Sequence, residues 1–151
     1  MIYVAIILIG FFLDRITKSL AVKNLIDSPR PGSIINLRYL ENRGAAFGIL
    51  QDSRVFFIIL TLLIVGYLIY YFAKTYKTNP KLLNYSLAMI IAGALGNFYD
   101  RLFQGYVVDF LEFAFVDFPI FNVADIFVTV GAGLMIIYLL FFEKEIENYE
   151  R

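Results

Sequence analysis

Residues 55–73 read VFFIILTLLIVGYLIYYFA, a run of 19 residues without a charged side chain. At about 1.5 Å per residue, a helix over this run is about 28 Å long, close to the roughly 30 Å hydrocarbon core of a bilayer. The run therefore predicts a membrane-spanning helix, and it decides the class of fold.

Three further segments are apolar, and they cover residues 2–13, 82–99 and 118–142. The second and third are long enough to cross a membrane, and the third contains a single charge, Asp125. The first is only 12 residues long, so we expect its helix to continue through Asp14 to about Ala21, where an apolar face persists. A cleaved signal peptide is the alternative for this segment. A signal peptide begins with basic residues, however, and no Lys or Arg precedes this apolar segment.

The composition supports a membrane protein and excludes several kinds of site. Hydrophobic residues make up 60% and charged residues 17% of the 151-residue chain, against about 45–50% and about 25% in soluble domains. The formal net charge is zero, so no basic excess exists to bind nucleic acid. The absence of cysteine and histidine excludes disulfides, thiolate or imidazole metal sites and nucleophiles activated by histidine. We expect an all-α membrane protein with four transmembrane helices in a single domain, residues 1–151.

The polar connections differ from one another. Within the connection 24–53, apolar residues alternate with others at positions 35–40, which predicts a short strand at the membrane surface. The connection 74–81 has three lysines and no acid, which indicates a cytoplasmic loop. Residues 14–54 carry seven Lys or Arg and would then face outward, so charge alone leaves the orientation undecided.

Ionisable side chains at membrane depth are costly, and each is a functional hypothesis by default. Asp14 and Lys18 are four apart with the acid first, so they can pair on a helix. The simpler interpretation is an interfacial ion pair that ends a span.

The segment from Asn42 to Gly48 includes Gly44 and suits a turn that approaches another group closely. An ordinary surface loop explains that segment as well.

A third polar cluster closes the apolar segment 82–99. Small residues ending at Gly96 suit close helix packing, which explains them fully. Packing does not explain the adjacent polar residues, which are Asn97, Asp100 and Arg101. We expect Arg101 to pair with Asp100 or a nearby carbonyl, because a lone guanidinium beside an apolar span needs a partner.

Two aspartates, Asp109 and Asp125, lie among apolar residues. Asn122 is three residues before Asp125, so the two would face the same way on a helix. Each aspartate could simply cap a helix or end a strand. A cap explains Asp125 poorly, because the apolar segment continues for 17 more residues.

Two carboxylates brought together suggest a chemistry, because they cannot both ionise comfortably and one retains a proton. The ionised one can accept a proton from water, and the protonated one can donate to a carbonyl oxygen. Asp109 and Asp125 could therefore hydrolyse a peptide bond without metal, cysteine or histidine. Sixteen residues separate them, so they meet only if the chain between them folds back.

The polar clusters resemble the motifs of the lipoprotein signal peptidases (signal peptidase II), which are bacterial aspartyl peptidases of the inner membrane. Five motifs occur in the family's order, and they are Asp14-x-x-Thr17-Lys18, Asn42-x-Gly44-Ala45-Ala46-Phe47, Gly96-Asn97-x-x-Asp100-Arg101, Val108-Asp109-Phe110 and Phe121-Asn122-x-Ala124-Asp125. They cover most of the chain, and five motifs in order are far more specific than any one of them.

The resemblance implies four transmembrane helices with a small β element on the outer face of the membrane. It implies that Asp109 and Asp125 are catalytic. The residues that match positions lining or bracing the site are Asn97, Asp100, Arg101 and Asn122. Those that match positions supporting the site or approaching the substrate are Asp14, Lys18, Asn42 and Gly44.

The substrate implied by the resemblance is a prolipoprotein whose cysteine already carries a diacylglyceryl group, with cleavage just before that cysteine. The termini would be cytoplasmic and the aspartates near the outer leaflet. We expect a monomer surrounded by membrane lipid, with no cofactor, metal or nucleic acid. The chain departs from many relatives in having a short acidic tail from Glu143 instead of a basic one.

Two other functions fit parts of the sequence. A Ser-Lys peptidase could use Ser19 beside Lys18, but neighbouring residues on a helix point about 100° apart. A proton-coupled membrane carrier could use intramembrane carboxylates, although four spans without an internal repeat do not favour it. Cleavage of a lipidated substrate by the purified protein distinguishes the aspartyl peptidase from the carrier.

Overall fold

The computed structural model describes residues 1–44 and 50–142 and is mostly helical, with one small sheet. Its elements in chain order are α1 (Ile2–Leu25), β1 (Ile35–Asn42), α2 (Arg54–Thr75), α3 (Lys81–Phe103), β2 (Val107–Phe113) and α4 (Val123–Phe141). Positions 45–47 of the second motif and the acidic tail from Glu143 lie outside the described residues.

Three of the described helices, α2, α3 and α4, are long and apolar enough to cross a membrane. The predicted runs 55–73 and 82–99 lie inside α2 and α3. α1 is one continuous helix of 24 residues, as the sequence predicts. α1 differs from the three apolar helices because it carries charged residues near its middle, and they are Asp14, Arg15 and Lys18.

The last helix is shorter than the apolar run that predicts it. α4 begins at Val123, whereas the run begins at residue 118. The segment before α4 runs beside β2 instead, because Phe121 and Leu111 exchange backbone hydrogen bonds of 2.9 and 2.8 Å. Apolar composition could not separate this segment from the helix, since both are apolar.

The two strands pair antiparallel, with Ile35 opposite Phe113 and Asn42 opposite Val107. The weak alternation at positions 35–40 therefore predicts β1 correctly. No alternation predicts β2, because its first four residues are all buried and both of its faces are covered there.

The polar motifs gather at one end of the helical bundle. α3 lies at its centre and contacts the other three helices. At the end that carries the sheet, Ala21 and Leu25 of α1 pack against Val108 and Phe110 of β2. At the opposite end, the packed residues are Leu83 and Leu87 of α3 and Tyr138 of α4. The ends of α1 and α3, the starts of α2 and α4 and the sheet therefore meet at the same end.

Candidate active site

The chain folds back between Asp109 and Asp125 and brings both to one place. Asp109 lies in β2, and Asp125 lies in the first turn of α4. The Phe121 carbonyl accepts hydrogen bonds from the N–H groups of Phe110 at 3.0 Å and Leu111 at 2.8 Å, which aligns the segment before α4 with β2. Both aspartates consequently line the same cavity.

Asn122 joins the two aspartates. Its side-chain Nδ2 donates to Asp109 Oδ1 at 2.6 Å, and its backbone N–H donates to Asp125 Oδ2 at 3.0 Å. Asn122 is fully buried, so this one residue sets the position of one carboxylate relative to the other away from water.

Two more asparagines hold the remaining carboxylate oxygens. Asn42 of β1 donates from Nδ2 to Asp109 Oδ2 at 2.8 Å, and Asn97 of α3 donates to Asp125 Oδ1 at 2.7 Å. The Asn42 Oδ1 accepts from the Gly44 N–H at 3.0 Å, which orients the amide so that its donor group faces Asp109. Each of the four carboxylate oxygens therefore accepts an N–H group.

Asp125 also caps α4, which corrects the expectation that a cap explains it poorly. Its carboxylate accepts from the Asn122 N–H, and its own N–H donates to the Asn122 Oδ1 at 3.0 Å, forming a capping box. Asn122 is the N-cap and lies outside the helix, so the predicted shared helical face is wrong. The other oxygen of Asp125 remains bonded to Asn97, so capping does not remove Asp125 from the site.

Asp14 and Lys18 form the pair that their spacing predicts, and the pair is buried within the bundle. It does not end α1, which continues to Leu25. The Asp14 and Lys18 side chains are 0% and 1% exposed. The Lys18 Nζ lies 2.9 Å from each of Asp14 Oδ2, Asp100 Oδ2 and Asn97 Oδ1. The Asn97 oxygen accepts a hydrogen bond from the ammonium, and the two carboxylates pair with its charge and compensate its burial.

Each carboxylate in this network holds the backbone beside a candidate catalytic residue. Asp14 Oδ1 accepts from the N–H of Ala124, the residue before the aspartate of α4, at 3.0 Å. Asp100 Oδ2 accepts from the N–H of Val108, the residue before the aspartate of β2, at 3.2 Å. Lys18 bridges the two carboxylates and so connects the supports of both candidates.

Gly96 and Asn97 show why these residue types occur here. A Cβ atom at Gly96 would lie 2.6 Å from Asp14 Oδ2, so this glycine admits the carboxylate as well as allowing helix packing. The bond from Lys18 to Asn97 Oδ1 leaves the amide nitrogen of Asn97 directed at Asp125.

Arg15 belongs to this network, although the sequence analysis does not identify it as a site residue. Its guanidinium forms an ion pair with Asp100 Oδ1 and lies 4.7 Å from the ring centroid of Tyr99. Gln104 donates to the same oxygen at 2.7 Å. In the sequence, the position of Arg15 directly after Asp14 was the one indication of this role. Helical spacing does not predict that adjacent residues act together.

The sequence analysis expects Arg101 to pair either with Asp100 or with a nearby carbonyl. The structure shows the carbonyl contact, and the alternative pairing with Asp100 is wrong. The Arg101 Nη2 donates to the Gly44 carbonyl at 3.1 Å, and its guanidinium carbon lies 4.8 Å from the Phe57 ring centroid. Among the described residues, Asp100 pairs instead with Lys18 and Arg15 of α1.

A cavity of about 440 Å³ lies beside the two aspartates, within the range typical of small-molecule and cofactor sites. Its polar side is formed by Asn42, Asn97, Arg101, Asp109 and Asp125. Its apolar side includes Phe113, Phe118, Phe121 and Val130. Within residues 1–44 and 50–142, no three side chains of the metal-binding types lie together.

The pKa of Asp109 is raised from 3.8 to about 7, chiefly because burial penalises the carboxylate and also because the Asp125 carboxylate is close. Hydrogen bonds from Asn42 and Asn122 and the charge of Lys18 lower this pKa and offset only part of the effect. A protonated Asp109 near neutral pH fits the proton sharing expected of two close carboxylates.

Comparison with known proteins connects the chain to one family. The family described as "Signal peptidase (SPase) II" matches residues 6–141. The chain is 44% identical over 143 residues to the lipoprotein signal peptidase of Clostridium tetani, covering 91% of each protein. It is 47% identical over 145 residues to that of Caldanaerobacter subterraneus subsp. tengcongensis, covering 92% of this chain and 97% of the relative.

Two solved structures share the fold. One is described as a bacterial membrane enzyme and is 34% identical, with a TM-score of 0.82 over 91% of this chain and 87% of its own. A second with the same description is also 34% identical, with a TM-score of 0.80 over 93% of each chain. The helices and small sheet described above are thus arranged as in known membrane enzymes.

Proposed function

The chain belongs to the signal peptidase II family, and from this premise we propose that Asp109 and Asp125 are its catalytic pair. Membership identifies the protein as a multi-pass membrane peptidase that processes prolipoproteins. The observation that carries the assignment is that two carboxylates, joined by Asn122, border a common cavity.

In the resting pair we assign the shared proton to Asp109, on the basis of its raised pKa. Asp125 accepts a proton from water as the water oxygen attacks the scissile carbonyl carbon, and Asp109 donates its proton to the carbonyl oxygen. Asp125 then gives its proton to the amide nitrogen while Asp109 takes one from a hydroxyl of the tetrahedral intermediate. The C–N bond breaks, giving an acid and an amine, and the pair returns to its starting protonation.

The other site residues act by position or by binding in this proposal. The residues that hold the aspartates or the backbone beside them are Asp14, Asn42, Asn97, Asp100 and Asn122. Lys18 and Gly44 act indirectly, by orienting members of that set. Arg101 lines the cavity with a cationic donor group that suits a peptide carbonyl of the substrate.

The substrate in this proposal is a prolipoprotein whose cysteine carries a diacylglyceryl group, cleaved just before that cysteine. The apolar side of the cavity supports a substrate that arrives from the bilayer, because aromatic and aliphatic side chains there adjoin the polar site. We propose a monomer of one domain, residues 1–151, acting among membrane lipids without cofactor, metal or nucleic acid. The comparisons give no support to the carrier alternative.

We propose that α1 is the fourth transmembrane helix of a bacterial inner-membrane protein. The buried pairing of Asp14 with Lys18 supports this, because paired charges inside the bundle are not exposed to lipid.

We place the termini in the cytoplasm and the aspartates near the outer leaflet. The lysine-rich connection 74–81 lies at the end of the bundle opposite the site, as that orientation requires. Four of the seven cations in residues 14–54 that argued against it form ion pairs with acids, and they are Arg15, Lys18, Arg38 and Arg43.

Cleavage of a diacylglyceryl-modified prolipoprotein by the purified protein in detergent tests the proposal. We expect wild type to cut just before the modified cysteine and Asp109→Asn to be inactive. Asp117→Asn is the matched control, because Asp117 is an exposed loop residue, and it should retain wild-type activity. Equal cleavage by Asp109→Asn would contradict the proposed chemistry.

A further inference from the structure

The first turn of α2 reaches across to the end of α3. Arg54 donates from Nε to the Arg101 carbonyl at 2.9 Å and from Nη2 to the Leu102 carbonyl at 2.8 Å. These carbonyls belong to the last turn of α3, where no partner exists inside the helix. The Arg54 guanidinium therefore caps α3 from a different helix.

Phe57 lies three residues after Arg54, on the same face of α2. Its ring lies 4.8 Å from the guanidinium carbon of Arg101, within the range of a cation–π contact. One turn of α2 therefore contacts a single residue of α3 twice, through its backbone carbonyl and through its side chain.

The location of Arg54 is unfavourable for α2 itself. It is the first residue of that helix, whose first turn contains no acid, and a cation is disfavoured at the positive end of a helix dipole. The side chain is also exposed, so core packing does not require it. The negative end of α3 is the partner that offsets this cost.

We propose that Arg54 and Phe57 are positioning residues that set where the Arg101 guanidinium meets the substrate at the edge of the cavity. This inference rests on the proposed function. Arg101 borders the cavity together with both aspartates and is held on a third side by the Gly44 carbonyl. Loss of either α2 contact leaves the bonds of the aspartates intact, so binding rather than chemistry should change.

The test is steady-state cleavage of the lipidated substrate by Arg54→Lys and Phe57→Leu. Lysine keeps the charge but cannot make the two-bond contact, and leucine keeps an apolar side chain without the ring. We expect KM to rise about three- to tenfold in each variant, with kcat changed by less than about twofold. Matched controls are Arg38→Lys and Phe141→Leu, at exposed positions away from the cavity, and both should behave as wild type.

A double-mutant cycle separates positioning from general stability. In an Arg101→Lys background, Arg54→Lys and Phe57→Leu should raise KM by less than about 1.5-fold further, because the group they position is already absent. An unchanged KM in both single variants, or an equal rise with and without Arg101, would overturn the inference. A loss of kcat at unchanged KM would do the same, since a structural role reduces the active fraction. Failure of the proposed function is seen separately, as cleavage by Asp109→Asn.

Discussion

The carboxylate of Asp14 accepts a hydrogen bond from the backbone N–H of Ala124 at 3.0 Å, so a charged side chain of α1 holds the first turn of α4. N–H groups in a first helical turn lack a partner inside the helix, and negative charge is favourable beside them. Asp125 directly follows Ala124, so this contact positions a proposed catalytic carboxylate from 110 residues away.

We predict that Asp14→Ala is strongly destabilising. Lys18 would lose one of its two buried carboxylate partners and α4 would lose an N-terminal acceptor. Removing one member of a buried pair costs about 3–5 kcal/mol of the free energy of unfolding. Asp14→Asn should cost less, because an amide oxygen can still accept from Ala124. Melting temperature in detergent measures the order, with Arg38→Ala as an exposed-pair control worth at most about 1 kcal/mol. Equal melting of Asp14→Ala and the control would refute the prediction.

For the proposed catalytic pair, we predict non-additive losses of activity. Asp109→Asn and Asp125→Asn should each reduce kcat by orders of magnitude, and the double variant should lose little more, because the two residues act as a unit. Asp125→Asn should also melt slightly lower than Asp109→Asn, since it weakens the capping box. Cleavage rates and melting temperatures of the three variants provide the check. Substantial turnover by either single variant would exclude the aspartyl mechanism.

Proton sharing predicts a pH dependence. Activity requires one protonated and one ionised carboxyl, so kcat/KM should fall as the pH rises through the apparent pKa of about 7 that burial gives Asp109. This apparent value belongs to the pair as a whole. A pH–rate profile between pH 5 and 9 measures it, and a profile that is flat to pH 9 would contradict the assignment of the proton.

The same raised pKa makes stability depend on pH. The folded protein holds the Asp109 proton more tightly than the unfolded chain, in which an aspartate has a pKa of about 3.9. The resulting stabilisation is complete below about pH 4 and is lost as the pH rises through about 7. Asn at this position does not titrate, so the melting temperature of Asp109→Asn relative to wild type should increase from pH 5 to pH 8.

Arg101→Ala should destabilise the fold less than Asp14→Ala. Its loss removes a ring contact and one hydrogen bond to a carbonyl, worth about 1–2 kcal/mol together, and Asp100 keeps its cations from α1. Activity should nevertheless fall through a raised KM. Melting temperature beside KM distinguishes the two effects, and the reverse order of stability would show that Arg101 is mainly a scaffold residue.

Another prediction follows from residue types that are absent. With no cysteine or histidine in the chain, cleavage should survive strong chelators and thiol alkylation, and Ser19→Ala should remain active. Activity lost to a chelator and restored by one metal would instead indicate an ion between Asp109 and Asp125. Activity lost in Ser19→Ala would favour the Ser-Lys alternative.

The sequence alone predicted the three apolar helices, the continuous α1 and a strand at 35–40, because each depends on local properties. Long uncharged runs and an alternation of period two are visible without knowledge of neighbours. The five motifs named the family for a similar reason, since they are residue types at fixed spacings. Local signals failed at β2, whose two buried faces remove the alternation, and at the start of α4, where an apolar loop has the composition of a helix.

Only the tertiary structure decided which polar groups meet. Lys18 contacts Asn97, 79 residues away, and Asp14 contacts Ala124 across almost the whole chain. No spacing rule reaches such distances, and the burial of a charge depends on partners supplied by other elements. For this reason spacing alone could not decide between an interfacial and a functional Asp14–Lys18 pair. The structure buries the pair inside the bundle, where Asp14 holds the backbone beside Asp125 and Lys18 connects Asp14 to Asp100.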